Sequence, residues 1–153
     1  MILTTHALVG AAIGKNISNP WIIASLAIPL HFFLDTFRHG EYLGQKSETK
    51  EVLGKVALDL FCGLSIITLY IFFSHSTIPT MKTILFGAFI SMFPDLITFL
   101  HWKLGIPYLG KIYQFHQFVH KRFPSGSKER IWNFRNAQND IFFSIIAMML
   151  LFL

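Results

Sequence analysis

Five apolar segments, at 3–14, 20–35, 56–73, 84–100 and 134–153, constrain the fold of this chain more than any other feature. The third and fourth approach the roughly 20 residues that a helix needs to cross the hydrocarbon core of a bilayer. All five are too continuous for the alternating strands of a membrane barrel. Only 14% of the residues are charged, against roughly 25% in an ordinary soluble domain. The sequence therefore predicts an all-α integral membrane bundle of about five helices.

Residues 1–153 are predicted to form a single membrane-embedded domain, interrupted by polar loops at 40–55 and 101–133. The longer loop is basic and aromatic, as is typical of a helix or loop that lies in the membrane interface. We expect it to contact the bilayer, including anionic lipid headgroups. Nucleic-acid bases also stack on aromatic rings, but the membrane already accounts for these rings, so we do not expect a nucleic-acid partner.

The distribution of Lys and Arg predicts the orientation in the membrane. Eleven of the 13 lie in or beside the loops that follow the second and fourth segments, and only Lys15 and Lys82 lie elsewhere. The two sets fall on opposite faces if all five segments cross. Cytoplasmic loops carry an excess of Lys and Arg, so the N-terminus and both basic loops are expected in the cytoplasm and the C-terminus outside.

Most His and Asp residues map to that same cytoplasmic face. His31, Asp35 and His39 follow at four-residue intervals, and each step turns only about 40° around a helix, so they share one face. His116 and His120 form a second such pair, a spacing found in helical zinc sites. Ionisable residues at membrane depth cost several kcal/mol unless they are paired, and they mark candidate functional sites.

A metal site accounts for this convergence of imidazoles and carboxylates. One or two divalent ions are expected, with zinc first and manganese, iron or magnesium as alternatives. Asp59 and Asp95 are also the candidates for a catalytic base. The predicted metal ligands are His6, His31, Asp35, His39, Asp59, Asp95, His116 and His120.

Short motifs along the chain resemble a known family. The stretch from Thr5 to Ala11 resembles the N-terminal motif of the YdjM-type inner-membrane metal-dependent hydrolases, and Gly87 to Asp95 resembles the Pro-Asp helix end of that family. His116 and His120 resemble its downstream His pair, whereas Ile97 replaces the second Asp of its Pro-Asp motif. The HFFLDTFRHG stretch is more loosely similar to the H-x3-D helices of zinc-dependent phospholipases C. The resemblance implies a prokaryotic metal-dependent hydrolase of the inner membrane. The likeness to phospholipases C favours a phosphoester substrate, and Lys121 and Arg122 of the basic loop are the candidates for binding its phosphate.

The predicted function is that of a membrane-bound metal-dependent hydrolase acting on a phosphoester, lipid phosphoesters included, at the cytoplasmic face. In the alternative interpretation the chain is a non-enzymatic membrane binding or scaffold protein whose His/Asp cluster is structural. An ion or proton pathway ranks last, because a pathway needs polar residues through the whole membrane depth, and here they gather at one face.

Overall fold

Six α-helices form the part of the chain that the computed structural model describes, residues 1–40, 49–121 and 133–153. A short 3-10 helix, Pro107–Leu109, lies between the fourth and the fifth, and these residues contain no β-strand. The predicted all-α class is confirmed. The six helices are α1 (Leu3–Asn16), α2 (Pro20–Asp35), α3 (Thr49–Phe73), α4 (Ile78–Leu104), α5 (Gly110–Lys121) and α6 (Phe134–Phe152).

The helices α3 and α4 are longer than the apolar segments that predicted them. Helix α3 begins at Thr49 instead of residue 56, and α4 covers Ile78–Leu104 instead of 84–100. Lys50, Glu51 and Lys55 in the added turns of α3 favour a helix but lower the hydropathy, so a search for apolar runs misses those turns. Helix α4 ends where Gly105 adopts the left-handed conformation, with φ of 64°, which closes its last turn.

Two helices are long and apolar enough to cross a membrane, over Val52–Phe73 and Ile78–Leu104. Only 17% and 28% of their most apolar stretches are buried inside the protein, whereas the core helix of a soluble protein is mostly buried. The large side chains of Leu58, Phe61 and Phe72 on α3 are 66–71% exposed. An apolar exterior of this kind indicates association with a membrane.

Helix α1 occupies the centre of the fold and contacts α2, α3, α4 and α6. Its contact with α4 is a direct approach of two backbones. A Cβ atom placed on Gly10 would lie 2.1 Å from the carbonyl oxygen of Gly87, and one on Gly14 would lie 2.0 Å from that of Thr83. Only glycine fits at such a crossing, as in the small-residue interfaces of membrane helices. The crossing brings the first turns of α1 beside the C-terminal half of α4.

Candidate metal centre

Asp35, the last residue of α2, lies at the centre of a buried polar cluster. Its Oδ2 atom lies 3.1 Å from Nε2 of His31, 2.9 Å from Nε2 of His116 and 3.2 Å from Nε2 of His120. Its Oδ1 atom lies 3.1 Å from Nε2 of His6 and accepts a hydrogen bond from the amino group of Met1. The side chain of Asp35 is fully buried. One carboxylate thus joins residues from α1, α2 and α5.

A first set of possible metal ligands, which we call the first group, consists of His31, Asp35, Asp95 and His116. One ligand atom from each of them lies within 4.8 Å of all the others. Two imidazoles and two carboxylates are donors that zinc accepts. Among the described residues, Oδ2 of Asp95 is buried without a hydrogen-bond partner. Such an oxygen is costly unless a donor or a cation satisfies it, so the donor set fits a cation.

A second set, the second group, consists of Asp35, His39 and His120, whose ligand atoms also lie within 4.8 Å of one another. His39 follows the end of α2, and its Nδ1 donates a hydrogen bond of 2.7 Å to the carbonyl of Phe37. Burial lowers the pKa of His39 to about 3. Its imidazole is therefore neutral at pH 7, with the proton on Nδ1, which leaves the Nε2 lone pair as the metal-binding atom.

Residues on α4 orient the two imidazoles of the first group. Nδ1 of His31 donates to the backbone carbonyl of Ser91 at 2.7 Å, so its Nε2 presents a lone pair toward Asp35. Nδ1 of His116 lies 2.6 Å from the hydroxyl oxygen of Thr98. Metal-ligating histidines in proteins are held in this way by a hydrogen bond at the other ring nitrogen.

Neither Ser91 nor Thr98 is among the site residues predicted from the sequence, and only Thr98 carries a signal there. Thr98 follows Asp95 by three residues, so the two polar side chains lie on one face of an otherwise apolar helix. Ser91 bonds His31 through its backbone carbonyl, which a side-chain pattern does not reveal.

His6 joins the cluster without belonging to either group of ligand atoms. Its side chain is fully buried, its ring stacks on that of His31 with centroids 4.0 Å apart, and its Nε2 lies 4.0 Å from Oδ2 of Asp95. The short contact of its Nε2 is the one with Oδ1 of Asp35. His6 therefore has the position of a residue that orients Asp35.

Asp59, predicted as a ligand and a catalytic base, is placed elsewhere by the structure. Its two carboxylate oxygens accept hydrogen bonds of 2.7 and 3.2 Å from the backbone amides of Leu3 and Thr4. Asp140 accepts a third bond, of 3.0 Å, from the amide of Ile2. These carboxylates satisfy the amides that a helix start leaves without partners. Asp59 belongs to neither group of possible ligands.

The two residues predicted to bind phosphate lie at the edge of the described structure. Lys121 is the last residue of α5, and the structure does not describe its side chain. Arg122 lies outside the described residues. Their part in the site stays a prediction from the sequence.

The structure thus brings seven of the eight predicted ligands into one cluster built on α1, α2, α4 and α5. Comparison of the chain with protein-family models, with curated proteins and with solved structures gives no match. The donors, burial and contacts of its own residues are therefore what indicates its function.

Proposed function

We propose that this chain is a membrane-bound, metal-dependent hydrolase that cleaves a phosphoester at the cytoplasmic face of the membrane. The observation that carries the proposal is the first group, in which the ligand atoms of His31, Asp35, Asp95 and His116 lie within 4.8 Å of one another. Zinc suits these donors best, with manganese, iron and magnesium as alternatives. The resemblance of the Thr5 and Asp95 motifs to YdjM-type hydrolases supports the same activity.

The cluster also contains a candidate base for hydrolysis. A metal ion held by this cluster would lower the pKa of a coordinated water and polarise the phosphoryl group. The side chain of Asp95 is 25% exposed, whereas that of Asp35 is fully buried. Asp95 is therefore the carboxylate of the first group that a water and a substrate can approach. We assign to it the acceptance of the proton from the attacking water.

The membrane setting of the proposal follows from charge and from the aromatic residues beside the cluster. The excess of Lys and Arg in the loops after α2 and α4 favours a cytoplasmic position for the cluster. Tyr108, Phe115 and Phe118, in and just before α5, are exposed, as suits rings at the level of lipid headgroups. Lys121 and Arg122 follow in the sequence, and we assign to them the substrate phosphate. A lipid phosphoester would reach such a site by diffusing in the plane of the membrane.

The test is metal binding together with turnover. The protein is purified in a mild detergent, stripped of metal and reloaded separately with zinc, manganese, iron or magnesium. Bound metal is counted by mass spectrometry, and hydrolysis is followed with bis(p-nitrophenyl) phosphate. We expect stoichiometric metal and turnover in the wild type, and loss of both in His31→Ala. In Asp95→Asn, the turnover per bound metal ion is expected to fall at least 100-fold, because general-base catalysis contributes roughly 10²–10⁴-fold.

The matched control is His75→Ala, since His75 is an exposed histidine in the turn between α3 and α4. It should retain the metal content and turnover of the wild type. A wild-type protein that binds none of the four metals would refute the proposal. Stoichiometric metal without hydrolysis of any phosphoester would instead favour the non-enzymatic interpretation, in which the His/Asp cluster is structural.

A further inference from the structure

We infer that the cluster holds a second metal ion, bound by Asp35, His39 and His120, and that Asp35 bridges the two ions. The inference rests on the proposed function only for the first ion. Asp35 is the single residue that the first and second groups share. Its Oδ2 atom lies within 3.2 Å of Nε2 of His116 in the first group and of His120 in the second, so this one oxygen can contact both cations. The second group adds two imidazoles that the first group does not use.

Helix α5 divides its His pair between the two groups. His116 belongs to the first group and His120, one turn later, to the second. Their Nε2 atoms lie 3.0 Å apart, and both lie within 3.2 Å of Oδ2 of Asp35. His39 approaches from the other side, with its ring centroid 5.0 Å from that of His120. Several imidazole nitrogens around one carboxylate form a donor set that a cation placed among them can share.

The two groups differ in the number of protein ligands. The first supplies four, the usual complement of a zinc ion that is closed to other ligands. The second supplies three, which leaves a fourth position for water or substrate, as in catalytic zinc sites. A water bound by the second ion would therefore be the attacking water, beside Asp35 and within the same cluster as Asp95.

The charge of the doubly loaded cluster indicates the class of substrate. Two divalent ions and the amino group of Met1 would bring five positive charges, and the carboxylates of Asp35 and Asp95 offset two of them. The remaining positive charge suits an anionic group, and paired metal ions are a recurrent device of phosphatases and nucleases for holding the attacking and leaving oxygens. The cluster therefore fits a phosphomonoester or phosphodiester better than a neutral ester or amide.

Zinc stoichiometry tests this inference. Detergent-purified protein is equilibrated by dialysis against buffered zinc, and the zinc per chain is counted by mass spectrometry. We expect two ions in the wild type, one in His39→Gln and one in His120→Gln, and none in Asp35→Asn, because the bridging residue serves both. His75→Gln, at an exposed position, should keep two. Circular dichroism and the elution volume identify any variant that has not folded.

The outcomes separate the second ion from the proposed activity. One zinc per folded wild-type chain, with phosphodiester hydrolysis intact, overturns the second ion and leaves the hydrolase proposal standing. Two zinc ions with no hydrolysis of any phosphoester support the second ion and reject the hydrolase. Two ions retained in both His39→Gln and His120→Gln overturn the assignment of its ligands. Loss of only one ion in Asp35→Asn overturns the bridge. If one His variant fails to fold, the other variant and the wild-type count still decide.

Discussion

Asp35 is the residue on which the buried cluster depends, because its two oxygens contact different partners. Oδ2 faces the histidines of α2 and α5, and Oδ1 faces His6 of α1. A carboxylate that is fully buried must be held by hydrogen bonds or cations, since its charge is otherwise costly in an apolar surrounding. Each neighbour of Asp35 can therefore be assigned a distinct, measurable role.

Replacement of His6 tests its role in orienting Asp35. We expect His6→Ala to lower zinc affinity by roughly 10–100-fold, because loss of a hydrogen-bond partner to a ligand has effects of that size. At saturating zinc the stoichiometry should equal that of the wild type. Competition with a chromogenic chelator measures the affinity, and His6→Gln, which can still donate to Oδ1, should recover part of it. Zinc affinity unchanged in His6→Ala would exclude this role.

Replacement of Asp59 distinguishes a helix cap from a catalytic base. Asp59→Ala leaves the amides of Leu3 and Thr4 without their acceptor, which should lower the free energy of unfolding by about 1 kcal/mol. Zinc content and turnover of the folded variant should remain at the wild-type level. Thermal unfolding in detergent, run beside the two assays, gives the answer. Unchanged stability with lost turnover would restore Asp59 to the catalytic role predicted from the sequence.

Among the helices, the contact of α1 with α4 is the one that sets the position of the cluster. Gly10 and Gly87 let the two backbones touch, and the same crossing places His6 beside the C-terminal half of α4. Neither backbone can move aside to make room for an added atom, as a flexible side chain could. A methyl group at this point must therefore push the helices apart, and the cluster with them.

Substitution of these glycines tests the contact. Gly10→Ala and Gly87→Ala are each expected to lower the free energy of unfolding by about 1–3 kcal/mol, the usual cost of overpacking, and to weaken zinc binding. The matched control is Gly54→Ala in α3, where an added Cβ meets no atom within 4 Å. That variant should be neutral or slightly stabilised, because alanine favours a helix over glycine. Equal stability of all three variants would show that α1 and α4 do not meet as described.

The sequence predicts the helices well where an apolar segment covers the whole helix. The segment 20–35 matches α2, and 134–153 matches α6 to within one residue. It predicts the sharing of a face by His31 and Asp35, because helical spacing is local information. His39 illustrates the limit: it lies beyond the end of α2, so helical spacing does not place it, and only the tertiary fold returns it to the cluster.

Other features of the site depend on which helices meet, and spacing within one helix does not encode that. The i,i+4 pair of α5 predicts two histidines on one face, but not that α5 turns this face toward Asp35. Asp59 lies on the predicted side of the bundle, yet its carboxylate oxygens accept hydrogen bonds from the backbone amides at the start of α1. Gly10 and Gly87 can be read from the sequence, but the sequence does not show that α1 and α4 cross at these two residues.

For the molecule as a whole, the apolar exterior and the placement of the charged and polar side chains at one end both fit a protein that lies in a membrane. The exposed surface of α3 is lined by large apolar side chains, whereas the buried cluster gathers at one end of the bundle. In the proposed orientation that end faces the cytoplasm, and the turn between α3 and α4 faces the other side.

Cysteine labelling tests the orientation. Cys62 is the single cysteine of the chain, so a Cys62→Ser background is free of other thiols. In intact cells of a bacterial expression host made permeable only at the outer membrane, Ser76→Cys should react with a membrane-impermeant maleimide. Lys111→Cys should react only after the inner membrane is opened, because it precedes the His pair of α5. The reverse pattern would contradict the proposed orientation.

The hydrogen bonds at the start of α1 impose an order on the biogenesis of the protein. The amide of Ile2 and the hydroxyl of Thr5 find partners in Asp140 and Ser144, which the ribosome adds more than a hundred residues later. Until α6 has been made, these polar groups of α1 lack the partners that they have in the folded protein. The docking of α1 against α6 therefore comes after the synthesis of α6. Membrane quality-control proteases would have that interval in which to recognise a chain whose later helices have failed to arrive.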